Sequence, residues 1–211
     1  MTVTTPAPVP AGTADVDKSS AGIRVHPAGA WWLLVAGVVG LVSSAALLVE
    51  KIGTLQNPDY VPSCSINPVL ACGSVINTPQ ASLFGPPNPL FGVVAFTVVI
   101  VTGVLVIAKV ALPRWYWAGL AIGTGLGVVF VNWLAYQSLY EIGALCPYCM
   151  VVWAVTVPLF AGTAPIALRP LAANPVAGML YTWRWPLVTL WFTAIMLLIL
   201  VRFWDYWSTL L

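Results

Sequence analysis

Five uncharged apolar stretches, separated by short segments that hold the charges, run along the chain. The first, GAWWLLVAGVVGLVSSAALLV, covers Gly29–Val49, between Arg24 and His26 on one side and Glu50–Lys51 on the other. Its 21 residues meet the roughly 20 that a membrane-spanning helix needs. Trp31 and Trp32 stand at its start, where an aromatic belt belongs. The second stretch is Pro89–Ala108, closed by Lys109 and Arg114. Its β-branched residues would favour a strand in water, but a lone strand in lipid leaves its backbone unpaired, so a helix is predicted. The third covers about Trp117–Tyr140 and ends at Glu141. The fourth starts near Cys146 and reaches about Leu168, before Arg169. The fifth, Trp185–Val201, has 17 residues and lies at the short limit for a span.

Composition turns these stretches into a fold class. Charged residues make up 7% of the 211, where a soluble domain carries about 25%. Apolar residues reach 60% and the mean hydropathy is +0.94. So little charge excludes a soluble domain of this size. The net charge of +2 comes without a basic cluster and offers nothing to nucleic acid. The expected fold is an all-α membrane protein with five transmembrane helices. Residues 1–28, rich in Thr, Ala, Pro and Gly, are expected to be a disordered tail and not a signal peptide. Residues 29–168 are expected to form a four-helix catalytic bundle carrying a long loop, 50–88. Residues 169–211 are expected to supply a linker and the fifth helix.

The basic residues set the expected orientation. With the N-terminus inside, the cytoplasmic face holds Lys18, Arg24, Lys109, Arg114, Arg169 and Arg184, and the outer face only Lys51 and Arg202. Six against two is a positive-inside bias. This orientation puts the tail in the cytoplasm and the C-terminus outside. It also puts Cys64, Cys72, Cys146 and Cys149 together at the outer, oxidising face.

The outer loop is unusual for a segment in water. From Tyr60 through the second span to Ala108 there is no charged residue. Such a loop is expected to cap the bundle at the membrane surface. Within it, Asn77–Phe84 predicts one short helix, with Asn77 or Thr78 as its cap and Pro79 at its first position. Gly85–Pro89 then turns the chain into the second span.

Cys146-Pro147-Tyr148-Cys149 opens a predicted helix, and residues three apart share a helix face. A helix N-terminus favours a thiolate, and Pro147 costs nothing in the first turn. These features suit a dithiol redox pair. Zinc would want four ligands, and the eight-residue spacing of Cys64 and Cys72 does not match a short knuckle. No metal is therefore expected. Cys64 and Cys72 alone read as a loop staple, but beside the C-x-x-C they permit electron relay by thiol–disulfide exchange. Four cysteines allow three pairings. His26 is the only histidine, which excludes bis-His haem. A lipid-soluble quinone needs only an apolar pocket and a few polar contacts. Asn88, Thr78, Asn132 and Gln137 are the polar candidates near the outer ends of the spans. Each also has a structural reading, as a cap or an interhelical hydrogen bond. Gly119, Gly123 and Gly127 repeat every fourth residue and predict a helix-packing face.

The segments C64-S-I-N-P-V-L-A-C72-G-S-V-I-N-T, A81-S-L-F-G-P-P-N-P-L-F-G92 and C146-P-Y-C149 resemble the vitamin K epoxide reductase family, in its bacterial, actinobacterial-type form. The resemblance covers about residues 30–168, and the fifth span is similar to the extra helix of bacterial members. It implies that Cys64 exchanges with a soluble partner, that Cys72 passes electrons to Cys146, and that Cys149 stands beside a quinone and attacks its ring. It assigns Asn88 to a quinone oxygen and places Thr78, Trp153 and Phe91 at the same pocket. Family members often have serine at the position of Thr78, and the vertebrate enzymes have tyrosine at that of Trp153. Tryptophan keeps an aromatic wall without the phenolic hydroxyl, which bears on epoxide reduction and leaves quinone reduction intact. Menaquinone is the favoured quinone, with ubiquinone or vitamin K as alternatives. Some homologues continue into a thioredoxin-like domain; here the expected partner is a separate DsbA-like thioredoxin-fold protein outside the cell. Oxidoreductases of the DsbB type place the C-x-x-C before the wider pair, the reverse of this order. The rival reading is a structural or transport protein whose cysteines form staples.

Overall fold

The computed structural model describes residues 22–57, 59–168 and 175–209. Most of the expected tail and the linker at 169–174 lie outside these residues. Five helices are long and apolar enough to cross a membrane: Pro27–Gln56, Asn88–Ile107, Arg114–Ile142, Pro147–Leu168 and Tyr181–Arg202. Among the described residues there is no strand, only two isolated bridges. The chain is an all-α, multi-pass membrane protein.

The first helix, α1 (Pro27–Gln56), starts with Pro27 in its first turn, and His26 accepts the Ala28 N–H. It passes the charged pair Glu50–Lys51 and runs seven residues beyond Val49. At 1.5 Å per residue its 30 residues measure about 45 Å, well over a hydrocarbon core of about 30 Å. Its last turns, past the uncharged stretch, form a post for the loop, bonding Tyr60, Ser63 and Ile76. A short helix α2 (Cys72–Ile76) and a 3-10 turn (Pro79–Ser82) follow within that loop. The 3-10 turn sits inside the predicted Asn77–Phe84 helix, with Pro79 at its first position. The α2 helix has no counterpart in the sequence reading.

Helix α3 (Asn88–Ile107) packs along α1, and α4 (Arg114–Tyr136) along α5 (Pro147–Leu168). A second α1–α5 interface closes the bundle. One core cluster, with Leu33, Phe96, Val99, Trp117 and Leu159, joins the four helices. The small residues Gly37, Gly40 and Gly103 let α1 and α3 approach closely, since a Cβ at Gly40 would overlap the Phe96 ring. Ile23, ahead of α1, donates to the Leu112 carbonyl. After Tyr136 the helix widens to a π segment (Gln137–Ile142) and stops at Gly143, whose φ of 68° suits glycine. This tight stop turns the chain into Leu145 and Cys146.

The fifth long helix, α6 (Pro175–Arg202), leans on the bundle at few points. The Trp191 indole N–H donates to Asn132 Oδ1 at 2.9 Å, and Arg202 Nε to the Leu139 carbonyl at 2.9 Å. Asn132 thus serves an interhelical hydrogen bond. A last short helix, α7 (Trp204–Ser208), follows Phe203, which packs near Leu145 and Trp153.

Candidate functional site

The site is assembled from the loop outward. Asn67 Oδ1 accepts the Val69 and Leu70 N–H groups at 3.0 and 2.7 Å, so the segment between the loop cysteines folds on itself. Ile66 N–H closes the turn on the Leu70 carbonyl at 2.8 Å. The outer edge of this turn pairs with the residue before the C-x-x-C. Leu145 N–H donates to the Val69 carbonyl at 2.7 Å, and Ala71 N–H donates to the Leu145 carbonyl at 2.9 Å. The two chains run parallel across this bridge, so Cys72 and Cys146 emerge beside each other.

Cys64 and Cys72 form a disulfide, one of the three possible pairings. Cys146 and Cys149 are free thiols. Cys72 Sγ lies 3.1 Å from Cys146 Sγ, and both residues are wholly buried. The sulfurs of Cys64, Cys72 and Cys146 all lie within 4.8 Å of one another. Cys146 caps α5: its carbonyl accepts the Met150 N–H, and Pro147 takes the first helical position. A hydrogen bond from the Cys149 thiol, joined by the Cys149 and Tyr148 N–H groups, outweighs burial and holds the Cys146 thiol below the ordinary cysteine range.

Cys149 packs against the cluster that holds the loop pair and also lines a cavity of about 530 Å³ between α1, α3, α4 and α5. Leu47 and Val75 line its upper part with Asn88, and Phe91 and Trp153 stand in its wall. Its size falls in the range of about 300–1,000 Å³ typical of small-molecule sites, and it is mostly apolar. Trp153 is buried, whereas Phe91 is partly open to the outside of the bundle. Asn88 is buried, but its amide is engaged. Nδ2 donates to the Gln80 carbonyl at 2.7 Å, and Oδ1 accepts Leu83 N–H at 3.2 Å. It ties the 3-10 turn down over the cavity, and among the described residues its second amide N–H meets no acceptor. Thr78 does not line the cavity; its hydroxyl donates to the carbonyl of Val75, which does. Gln137 lies in the π segment, away from the cavity lining.

Two features of this cavity differ from the sequence reading. A Cβ added at Gly119 or Gly123 would meet nothing within 4 Å, and both residues line the cavity. Only Gly127 faces a close neighbour, Thr156. The glycine face hollows out the cavity where helix packing was expected, because the spacing is the same for both uses. Ser43 and Ser44 are buried residues of α1 that also line it. Nothing in the sequence sets them apart from the other residues of the first span.

The sequence model of the Vitamin K epoxide reductase family matches residues 31–164, which contain all four cysteines and the cavity. A comparison with curated proteins finds no match.

Proposed function

Because the chain belongs to the vitamin K epoxide reductase family, it is a membrane oxidoreductase, and we propose that it carries electrons from a soluble dithiol to a membrane quinone. The observation that supports this reading is the 3.1 Å approach of Cys146 Sγ to Cys72 Sγ while Cys72 is still bonded to Cys64. A thiolate exchanges with a disulfide through such a contact, and the two cysteine pairs become one relay.

A thiolate of a DsbA-like thioredoxin-fold partner attacks Cys64, the Cys64–Cys72 bond breaks, and Cys72 leaves as thiolate. The partner's second thiolate then releases Cys64. Cys72 attacks Cys146 of an oxidised C-x-x-C, and Cys149 leaves with the electron pair beside the cavity. Cys64 then re-forms the loop disulfide by displacing Cys146. The arrangement described above, loop oxidised and C-x-x-C reduced, is the product of this passage. A quinone bound in the cavity supplies a two-electron sink. Asn88, Phe91, Trp153 and Cys149 would hold its ring, and Thr78 supports this wall through Val75. Menaquinone is the favoured form, with ubiquinone and vitamin K as alternatives. The apolar walls keep water from Cys149.

The positive-inside bias supports a cytoplasmic N-terminus and cysteines at the outer face of a bacterial plasma membrane. Phosphatase and fluorescent reporters fused after Leu211 test this, since an active phosphatase is expected only at an exported end. The activity test uses purified protein in detergent with a reduced DsbA-like protein and a quinone. Quinol should form one for one with the partner disulfide, and Cys149→Ser should abolish it. Wild-type protein that performs neither half-reaction, yet folds only with its disulfide intact, would make the cysteines staples.

A further inference from the structure

One buried ionic group, Glu50, lies outside the relay. Glu50 is 7% exposed, lies in the extended end of α1, and does not line the cavity. Burying a carboxylate is costly unless donors compensate it. Three do so here, all from one arm of the redox loop. Tyr60 O–H donates to Oε2 at 2.8 Å, Ser63 N–H to Oε2 at 3.3 Å, and the Ser63 hydroxyl to Oε1. Ser63 immediately precedes Cys64.

The next residue holds the other arm. Lys51 Nζ donates to the Ile76 carbonyl at 2.8 Å and reaches Asn77 Oδ1 at 3.5 Å. Ile76 ends the short helix that Cys72 begins. A lysine at the last carbonyl of a helix is a favourable terminus. One turn further along α1, Gly53 lies against the Tyr60 ring, and a Cβ there would come within 2.9 Å of it. A single stretch of α1, Glu50 to Gly53, therefore grips the chain on both sides of the Cys64–Cys72 disulfide.

Cys64 is 6% exposed in this position, so a soluble dithiol cannot reach it without movement of the loop. The relay needs two loop positions: one where Cys72 meets Cys146, and one where Cys64 is open. We propose that the end of α1 is a latch for the first position, with Glu50 and Lys51 as positioning residues that hold the redox loop against Cys146. Their hydrogen bonds favour internal transfer, and their release admits the partner. The latch gives a function to the extra turns of α1. It rests on the relay reading above, but its test needs neither the quinone nor the partner.

The test uses the full chain with Cys64→Ser and Cys149→Ser, which leaves Cys72 and Cys146. Equilibration with glutathione gives the effective concentration of one thiol at the other. Glu50→Ala should lower that value about ten-fold or more, the scale of one charge-assisted hydrogen bond lost at 1.4 kcal/mol per ten-fold. Lys51→Met should move it the same way. In the chain with all four cysteines, Glu50→Ala should instead raise the rate at which a small dithiol captures Cys64. Opposite movement of the two readouts marks a latch. A fall in both, or no change in the Cys72–Cys146 pairing, overturns it. If Glu50→Ala does not assemble, Ser63→Ala and Glu50→Gln remove fewer of the bonds and carry the same comparison. A chain that shows the latch yet reduces no quinone would sink the quinone reading alone.

Discussion

Leu70 and Leu145 are bridged through their main chains, and this bridge sets the distance between Cys72 and Cys146. Each cysteine follows its leucine within two residues, so the pairing carries both sulfurs to one point without help from either thiol. The contact is therefore built before any electron moves. A soluble dithiol protein stripped of its second cysteine should open the Cys64–Cys72 bond, release Cys72 and stay trapped on Cys64, and Cys72→Ser, which has no loop disulfide to open, should trap none. Cys146→Ser should leave exchange at Cys64 intact and stop quinol formation. Non-reducing gels with mass mapping distinguish these products. Trapping through Cys149 in a Cys64→Ser chain would reverse the assigned direction.

Gly123 offers a test of what the glycine face does. Its Cβ position is open, so Gly123→Ala should lose no packing and gain about 0.5–1 kcal/mol of helix stability. Gly123→Phe should fill the cavity and weaken quinone binding while leaving thiol exchange at Cys64 unchanged. Unfolding in detergent and quinone titration measure the two effects. A packing role predicts the opposite for alanine, a loss of stability.

The helices were legible because lipid allows few solutions: length, hydropathy and bounding charges place a span within a few residues. The end of α1 was not, because Glu50 and Lys51 read as a membrane boundary while the loop supplies donors and a carbonyl that keep the helix going. The Leu70–Leu145 bridge leaves no trace in sequence, since main-chain hydrogen bonds do not depend on the leucine side chains. The cysteine spacings placed the two pairs but could not choose the Cys64–Cys72 bond. Asn88 was legible as a polar residue at the mouth of a span, yet its bonds to Gln80 and Leu83 depend on how the loop folds back.

Cys146 should titrate below an ordinary cysteine, with the Cys149 thiol as the main support. With the loop disulfide intact, Cys149→Ser leaves Cys146 as the only free thiol and keeps a hydroxyl donor beside it. Cys149→Ala removes the side-chain donor and leaves only the main-chain N–H groups of residues 148 and 149 against burial, which disfavours the charged form. The thiolate absorbance of Cys146 should thus appear at higher pH in Cys149→Ala than in Cys149→Ser. Coincident titration curves would show that Cys149 does not set the ionisation of Cys146. The same shift should slow attack by Cys146 on a disulfide at neutral pH, because the thiolate is the attacking form.

Asn88 joins the loop to the cavity, and two variants separate these roles. Asn88→Leu deletes both the Gln80 and Leu83 hydrogen bonds and the N–H left for a ligand oxygen. Quinone affinity should fall by about 1–3 kcal/mol, the range for a lost buried hydrogen bond. Asn88→Asp keeps an oxygen for the Leu83 N–H but presents no N–H to either Gln80 or a quinone. If the amide holds the quinone, Asp should lose affinity about as Leu does, because a carboxylate can only accept. If Asn88 serves the loop alone, both variants should loosen it and lower the yield of the Cys72–Cys146 disulfide, without a separate effect on quinone binding. Measuring quinone binding beside that disulfide yield decides the matter. A fall in binding with normal pairing assigns Asn88 to the quinone, and a fall in pairing with normal binding leaves it as a loop anchor.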